Sequence, residues 1–329
     1  MPTRRDILIG AAAAGAAALV RPALTVFAED SKATAPADLT PVNFKVPAGA
    51  CDCHVHIFDA QRFSFSPLRT YTPEPATVKD LKAMHRALHI QRTVVVQPSV
   101  YGADNSCVLD AVKQLGAKAR GVAVIDDNTS EAALGEMHRA GVRGIRFIFQ
   151  TANQTDPAVM RQHLQAAVER IKAHNWHVQI YIRMPLLDDL KDQLMAFPAP
   201  LVFDHFGGAQ AALGVEQPGF GTLLKLVQAG KAYVKISGAY RSSTQAPDYA
   251  DAAPLARALI AANQQRILWG TDWPHPDSAP VEGRKPTDIV HRLPVDDGRL
   301  FNLLATWAPD AALRRTILVE NPARLYFSS

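Results

Sequence analysis

Ala50-Cys51-Asp52-Cys53-His54-Val55-His56-Ile57-Phe58 opens the folded part of the chain. Its apolar alternation is that of a buried β-strand, on which successive side chains point to opposite faces. His54 and His56 stand two residues apart, so the spacing aims both imidazoles the same way. A pair of core histidines satisfied by packing would have the same spacing, and the rest of the chain has to separate the two cases.

Downstream, short runs rich in Val, Ile and Phe recur at residues 93–98, 121–126, 144–149, 178–183, 201–206, 232–238 and 267–273. Each is bounded by Gly, Pro or Asp, as strands are. Helical patterns lie between them at 78–88, 106–115, 130–140, 158–174, 187–195, 221–228 and 249–262. An eighth runs from 297 to 322 and is interrupted at Pro309. Ser130-Glu131 and Asp156-Pro157 are helix-start signals. Strict alternation of eight strands with eight helical segments predicts βαβ units around a parallel sheet. The expected fold is α/β, a distorted (β/α)8 TIM barrel forming a single domain over residues 50–329. A doubly wound open sheet is the alternative, but no glycine-rich phosphate turn follows any strand.

Sites in such barrels lie at the C-terminal ends of the strands. Polar residues gather there: His54 and His56 on strand one, Gln97 and Ser99 after strand two, Arg143 and Arg146 on strand four. Strand five adds Tyr181 and Arg183, strand six Asp204 and His205, strand seven Lys235 through Arg241, and strand eight Asp272 to His275. Packing does not require that convergence, whereas a catalytic or ligand site does. His54, His56, His205 and Asp272 are the set that would hold one divalent ion, Zn²⁺ or Mn²⁺, with a position open for water. Strands four and five, however, offer Arg146 and Tyr181, and a guanidinium repels a cation. Arg146, Arg183 and Arg241 instead suit an anion, because guanidinium grips a carboxylate with a fork of donors. No cofactor is expected, with one divalent metal as the alternative.

The motifs Cys51-Asp-Cys-His-Val-His56, Asp204-His-Phe-Gly-Gly208 and Trp269-Gly-Thr-Asp-Trp-Pro-His275 resemble the amidohydrolase superfamily. Within it they resemble the amidohydrolase-related (family 2) branch, near its lactone hydrolases of the 2-pyrone-4,6-dicarboxylate hydrolase type. The resemblance spans residues 50–329. It implies hydrolysis of the ester bond of a small anionic lactone, without metal, with Asp272 as general base. His54, His56 and His205 would then polarise the carbonyl as hydrogen-bond donors. Arg146, Tyr181, Arg241, Ser99 and Tyr71 would hold the anionic group, Tyr71 lying in an Arg-x-Tyr-x-Pro segment like the family's loop after strand one. Dicarboxylate-specific members carry a further arginine shortly after the one on strand four. Residues 147–155 contain none, so a monoanionic or less charged lactone is expected. Three alternatives stand beside this: a metal-dependent amidohydrolase or decarboxylase, a sugar-lactone isomerase on the same residues, and an exported binding protein without turnover.

The N-terminus has its own logic. Arg4-Arg5 precedes Ile7-Leu8, an Ala/Gly-rich apolar run to Val20, and Val26-Phe27-Ala28. Residues 1–28 read as a twin-arginine-type signal peptide cleaved after Ala28, with 29–49 as a polar lead-in. The apolar run falls short of the roughly 20 residues of a membrane span. A periplasmic protein with no stable membrane insertion after signal removal is expected. A hydrophobic content of 48% and a charged content of 20% exclude a disordered chain. Once Arg4, Arg5, Arg21 and Asp6 are set aside the charges nearly balance and no basic run remains, which argues against a nucleic-acid partner. Cys51, Cys53 and Cys107 imply no disulfide scaffold. The first two, alternating with the histidines, are expected to face the surrounding helices as small hydrophobes.

Overall fold

Eight parallel strands, each hydrogen-bonded to the next in sequence, build the barrel in the computed structural model. They are β1 (Cys51–Val55), β2 (Arg92–Val96), β3 (Ala119–Ala123), β4 (Val142–Ile148), β5 (His177–Tyr181), β6 (Leu201–Phe203), β7 (Ala232–Lys235) and β8 (Ile267–Leu268). The structure describes residues 39–150 and 152–328, so the signal peptide expected at 1–28 lies outside the described residues. Among the described residues no helix is long and apolar enough to cross a membrane.

Around the strands lie α1 (Val78–Ala87), α2 (Ser106–Leu115), α3 (Glu131–Ala140), α4 (Pro157–Ile171), α5 (Leu186–Ala196), α6 (Phe220–Gln228), α7 (Ala253–Ala262) and α8 (Asp297–Trp307). Side-chain caps start several of them. Thr77 and Asp80 form a reciprocal capping box on α1, Ser130 accepts from Ala133 N, and Asp156 accepts from Ala158 N beside Pro157. The described part of the lead-in is not a free tether. Thr40 N donates to Asp296, Asn302 Nδ2 donates to Pro41 O at 3.0 Å, and the Phe44 ring meets Phe301 at 4.9 Å on α8.

The last three strands stop earlier than their apolar runs suggest. His205 and Phe206 take φ of 47° and 55°, which no strand continues, so β6 ends at Phe203. At the seam β8 pairs with β1 through single hydrogen bonds, Cys53 N to Trp269 O, Asp272 N to His54 O and His56 N to Trp273 O, each 2.9 Å. The barrel is therefore nearly closed, without a regular ladder at that edge.

A bulge in β1 changes the expected alternation. Asp52 pairs with Thr93 and Val55 with Val95, so three steps on β1 match two on β2. Cys51 and Cys53 pack with Val94, Val96, Val122, Val202, Tyr233, Leu268 and Tyr326 inside the barrel, and do not face the helices. Past the bulge His54 also points inward, while Val55 joins the outer core. Asp52 points out and fixes the distortion: it accepts from His54 N (3.1 Å), Thr271 N (3.0 Å) and Thr271 Oγ1 (2.6 Å), and lies 3.2 Å from His85 Nε2 on α1. All three cysteines are free and buried.

Candidate active site

The C-terminal ends of β1, β6 and β8 bring His54, His56, His205 and Asp272 together in the interior, each of them buried. His205 and Asp272 hold left-handed φ of 47° and 66°, unfavourable for residues with a Cβ. That turn aims both side chains back over the barrel axis. Gly238 after β7 leaves them room: a Cβ there would stand 3.1 Å from Asp272 Oδ2 and 3.2 Å from His205 Nδ1.

Asp272 has two distinct oxygens. Oδ1 faces three ring nitrogens, His54 Nε2 at 3.6 Å, His56 Nε2 at 3.7 Å and His205 Nε2 at 3.7 Å. Neither Oδ1 nor His54 Nε2 has a hydrogen-bond partner. Oδ2 accepts from Tyr240 Oη at 2.5 Å and pairs with Arg241 Nε. Burial alone would raise this carboxyl. The Arg241 guanidinium beside it opposes burial, and the carboxyl lies well below the ordinary carboxylate range. Burial pushes the imidazoles down, His54 strongly, His56 to about 3 and His205 to about 4. At neutral pH the cluster is therefore one carboxylate beside three uncharged rings.

Neutral rings carry one proton each, and their second nitrogens decide where it sits. His56 Nδ1 lies 2.8 Å from Val96 O, which only accepts, so Nδ1 holds the proton and Nε2 is bare. His54 Nδ1 stands between an acceptor, Asp204 Oδ1 at 3.1 Å, and a donor, Lys235 Nζ at 3.4 Å, so its surroundings serve either tautomer. Carbonyl polarisation by an Nε2–H donor, expected from the sequence for all three histidines, is thus closed to neutral His56 and open to His54 in one of its tautomers. His205 keeps it, because the Ser237 hydroxyl 3.0 Å from its Nδ1 serves either tautomer.

Beneath the rings lies a charged floor. Arg146 Nε and Nη2 both reach Asp204 Oδ2 at 3.0 Å, and Nη1 donates to Gln97 O. Lys235, fully buried, donates to Gln179 Oε1 at 2.7 Å and stands 3.4 Å from Asp204 Oδ1. Burial would raise the Asp204 carboxyl, but His54, Lys235 and Arg146 hold it well below the usual range. Arg146 is therefore spent on Asp204, where the sequence suggested a grip on substrate. Gln179 and Tyr240 had no assigned role in the sequence. For Gln179 and Lys235 strand alternation was the available signal, since they share faces with Tyr181 and Tyr233. Tyr240 had no such signal.

Above the cluster opens a cavity of about 790 Å³ whose walls include Tyr71, Tyr181, Arg183, Tyr240, Arg241 and Arg284. Tyr181 stacks edge-on against His205 at 5.2 Å. Ser99 is not among the residues that line the cavity and opens the short turn Ser99–Tyr101 after β2. Arg143 is turned away and donates to His138 O and Val142 O.

In geometry His54, His56 and Asp272 fit one divalent ion, since they offer ligand atoms within 4.8 Å of one another, while His205 groups in the same way with His54 and Asp204. The Nδ1 partners of the rings are also of the kind that orient metal-binding histidines. In charge the fit is poorer. Asp272 and Asp204 already face Arg241, Arg146 and Lys235, three cations against two anions.

A (β/α)8 barrel whose strand ends converge a His-x-His pair, a third histidine and an aspartate defines an amidohydrolase type of site. The chain belongs to that family: the family described as Amidohydrolase matches residues 51–327. It is 37% identical over 294 residues to a 2-pyrone-4,6-dicarboxylate hydrolase of Comamonas testosteroni, covering 86% of this chain and 92% of that one. A 4-sulfomuconolactone hydrolase of Hydrogenophaga intermedia is 34% identical over 292 residues, 88% and 92% of the two chains. The apo crystal structure of an Agrobacterium tumefaciens protein superposes with a TM-score of 0.71 at 29% identity, covering 88% of this chain and 99% of that one.

Proposed function

We propose that this protein hydrolyses the ester bond of a small anionic lactone and that Asp272 is the general base. The observation that carries this reading is the unpartnered Asp272 Oδ1, held ionised beside the bare Nε2 of His56 within the barrel mouth. Relatives named for the hydrolysis of two lactones support the substrate class. A water between Oδ1 and the Nε2 of His56 can donate to both acceptors. Its oxygen attacks the lactone carbonyl while its proton passes to Asp272. Oxyanion charge falls to the Nε2–H of His205 and to Arg241, whose Nη groups make no hydrogen bond to the protein among the described residues. Collapse breaks the ring C–O bond, and Asp272 returns the proton to the departing oxygen. The product is the ring-opened hydroxy acid.

Were a divalent ion bound, His54, His56 and Asp272 would hold it, and it would supply an activated water and a polarised carbonyl. We favour metal-independent hydrolysis because an added dication would lift a buried cluster that already carries excess positive charge. The signal-like N-terminus supports work in the periplasm. The test is a panel of anionic lactones with and without chelator, with product analysis and metal content on the same preparation. Ring-opened acid that persists through chelation is expected. One equivalent of tightly held Zn²⁺ or Mn²⁺ with chelator-sensitive activity overturns metal independence, and an isomeric lactone as product overturns hydrolysis.

A further inference from the structure

Charge pairing along the cavity indicates what fixes the far end of the substrate. Three arginines line it, Arg183, Arg241 and Arg284. Arg241 is paired with Asp272, and Arg284 Nη2 stands 3.1 Å from Asp277 Oδ2. Arg183 has no carboxylate within ion-pair distance among the described residues. Its Nη2 donates at 2.6 Å to the neutral amide oxygen of Asn153. That contact is braced. Gln150 N donates to Tyr181 O (3.0 Å), Asn153 N to Gln150 O (3.1 Å) and Gln154 N to Phe149 O (2.9 Å), tying the loop after β4 to the end of β5. Asn153 takes φ of 51°, which asparagine tolerates better than most residues. The cavity wall thus presents one exposed guanidinium, oriented from behind and uncompensated in charge.

We propose that Arg183 is the specificity-determining residue that takes the anionic group of the substrate. The carbonyl then lies at Asp272 and the charge at Arg183 on the cavity wall, a layout that selects a lactone with one anionic group. This rests on the lactone reading for its carbonyl end only. Arg241 suits the anion less, because its charge is already committed to Asp272.

The experiment compares wild type, Arg183→Gln and Arg183→Lys on 2-pyrone-5-carboxylate and its methyl ester, with calorimetric binding of benzoate and benzamide alongside. Arg183→Gln should raise KM for the carboxylate about tenfold with kcat little changed, and leave kcat/KM for the ester unaltered. Benzoate should bind about tenfold more weakly to it and benzamide equally well, with Arg183→Lys close to wild type. Hydrolysis of the pyrones with Arg183→Gln indistinguishable from wild type would overturn the anchor and leave the lactone reading standing. No hydrolysis by wild type, with benzoate affinity still lost in Arg183→Gln, would overturn the lactone reading and keep the anchor. Failure of wild type to bind benzoate would count against the anchor.

Discussion

Replacing Asp272 by Asn removes the proposed base while conserving shape. General-base catalysis contributes about 10²–10⁴ in rate. A loss near 10³ in kcat, about 4 kcal/mol at 1.36 kcal/mol per decade, is expected. The structure adds a second effect. Asp272 is fully buried and Arg241 is one-fifth exposed, so the variant strands a largely buried guanidinium. Breaking a buried pair costs about 3–5 kcal/mol. The Asn oxygen still accepts from Arg241 and Tyr240, which places the stability loss at about 2–3 kcal/mol. The freed Arg241 should also bind benzoate more tightly than in wild type. Steady-state kinetics, thermal melts and calorimetry on one preparation separate these effects. A variant that keeps kcat within tenfold of wild type while melting normally would refute Asp272 as the base.

Asp52→Ala should destabilise the fold by roughly 3 kcal/mol, because buried donors from His54 and Thr271 lose their shared acceptor. A chemical-denaturation midpoint unchanged from wild type would show that the bulge holds without it. Acid should weaken the protein through its buried neutral histidines. His177, pushed to about 3 by burial and then by Lys235, has both ring nitrogens unpartnered in the barrel floor. The unfolded chain protonates near 6.5 and the folded one does not, so stability is full above pH 6.5 and falls by about 1.4 kcal/mol per unit towards pH 3. Between pH 6.5 and 5 that is about 2 kcal/mol, which His177→Met should spare. Equal urea-midpoint losses in both proteins would exclude His177 as the cause.

Much of this site was legible in the chain because barrel geometry makes strand ends converge, and the strand ends carried His54, His56, His205 and Asp272 as motif residues. What alternation could not reveal was the bulge at Asp52. One extra residue sends Cys53 and His54 to the same side, and its cause is a cross-seam contact with Thr271, 219 positions away. The His56 tautomer was equally hidden, since it depends on Val96 O reaching Nδ1. The partners of the arginines were hidden for a related reason. Sequence shows that Arg146 and Arg241 arrive at the mouth, but only distances show that each meets a carboxylate of the protein itself.

That distinction gives Arg241 and Arg183 opposite tasks. An anion bound at Arg241 would compete with Asp272 for one guanidinium and set a like charge beside the base, raising its pKa and weakening binding. A developing oxyanion does not meet this conflict. It forms as Asp272 takes up the proton, and at that step the carboxylate loses the charge that engaged Arg241. The guanidinium then turns from base partner to oxyanion partner without moving, so its stabilisation is greater in the transition state than in the ground state. A permanent charge on the substrate needs the reverse arrangement, a cation that is not paired with the base from the start. Arg183 on its Asn153 brace meets that requirement, and it does so on a strand end whose neighbour, Tyr181, already packs against His205.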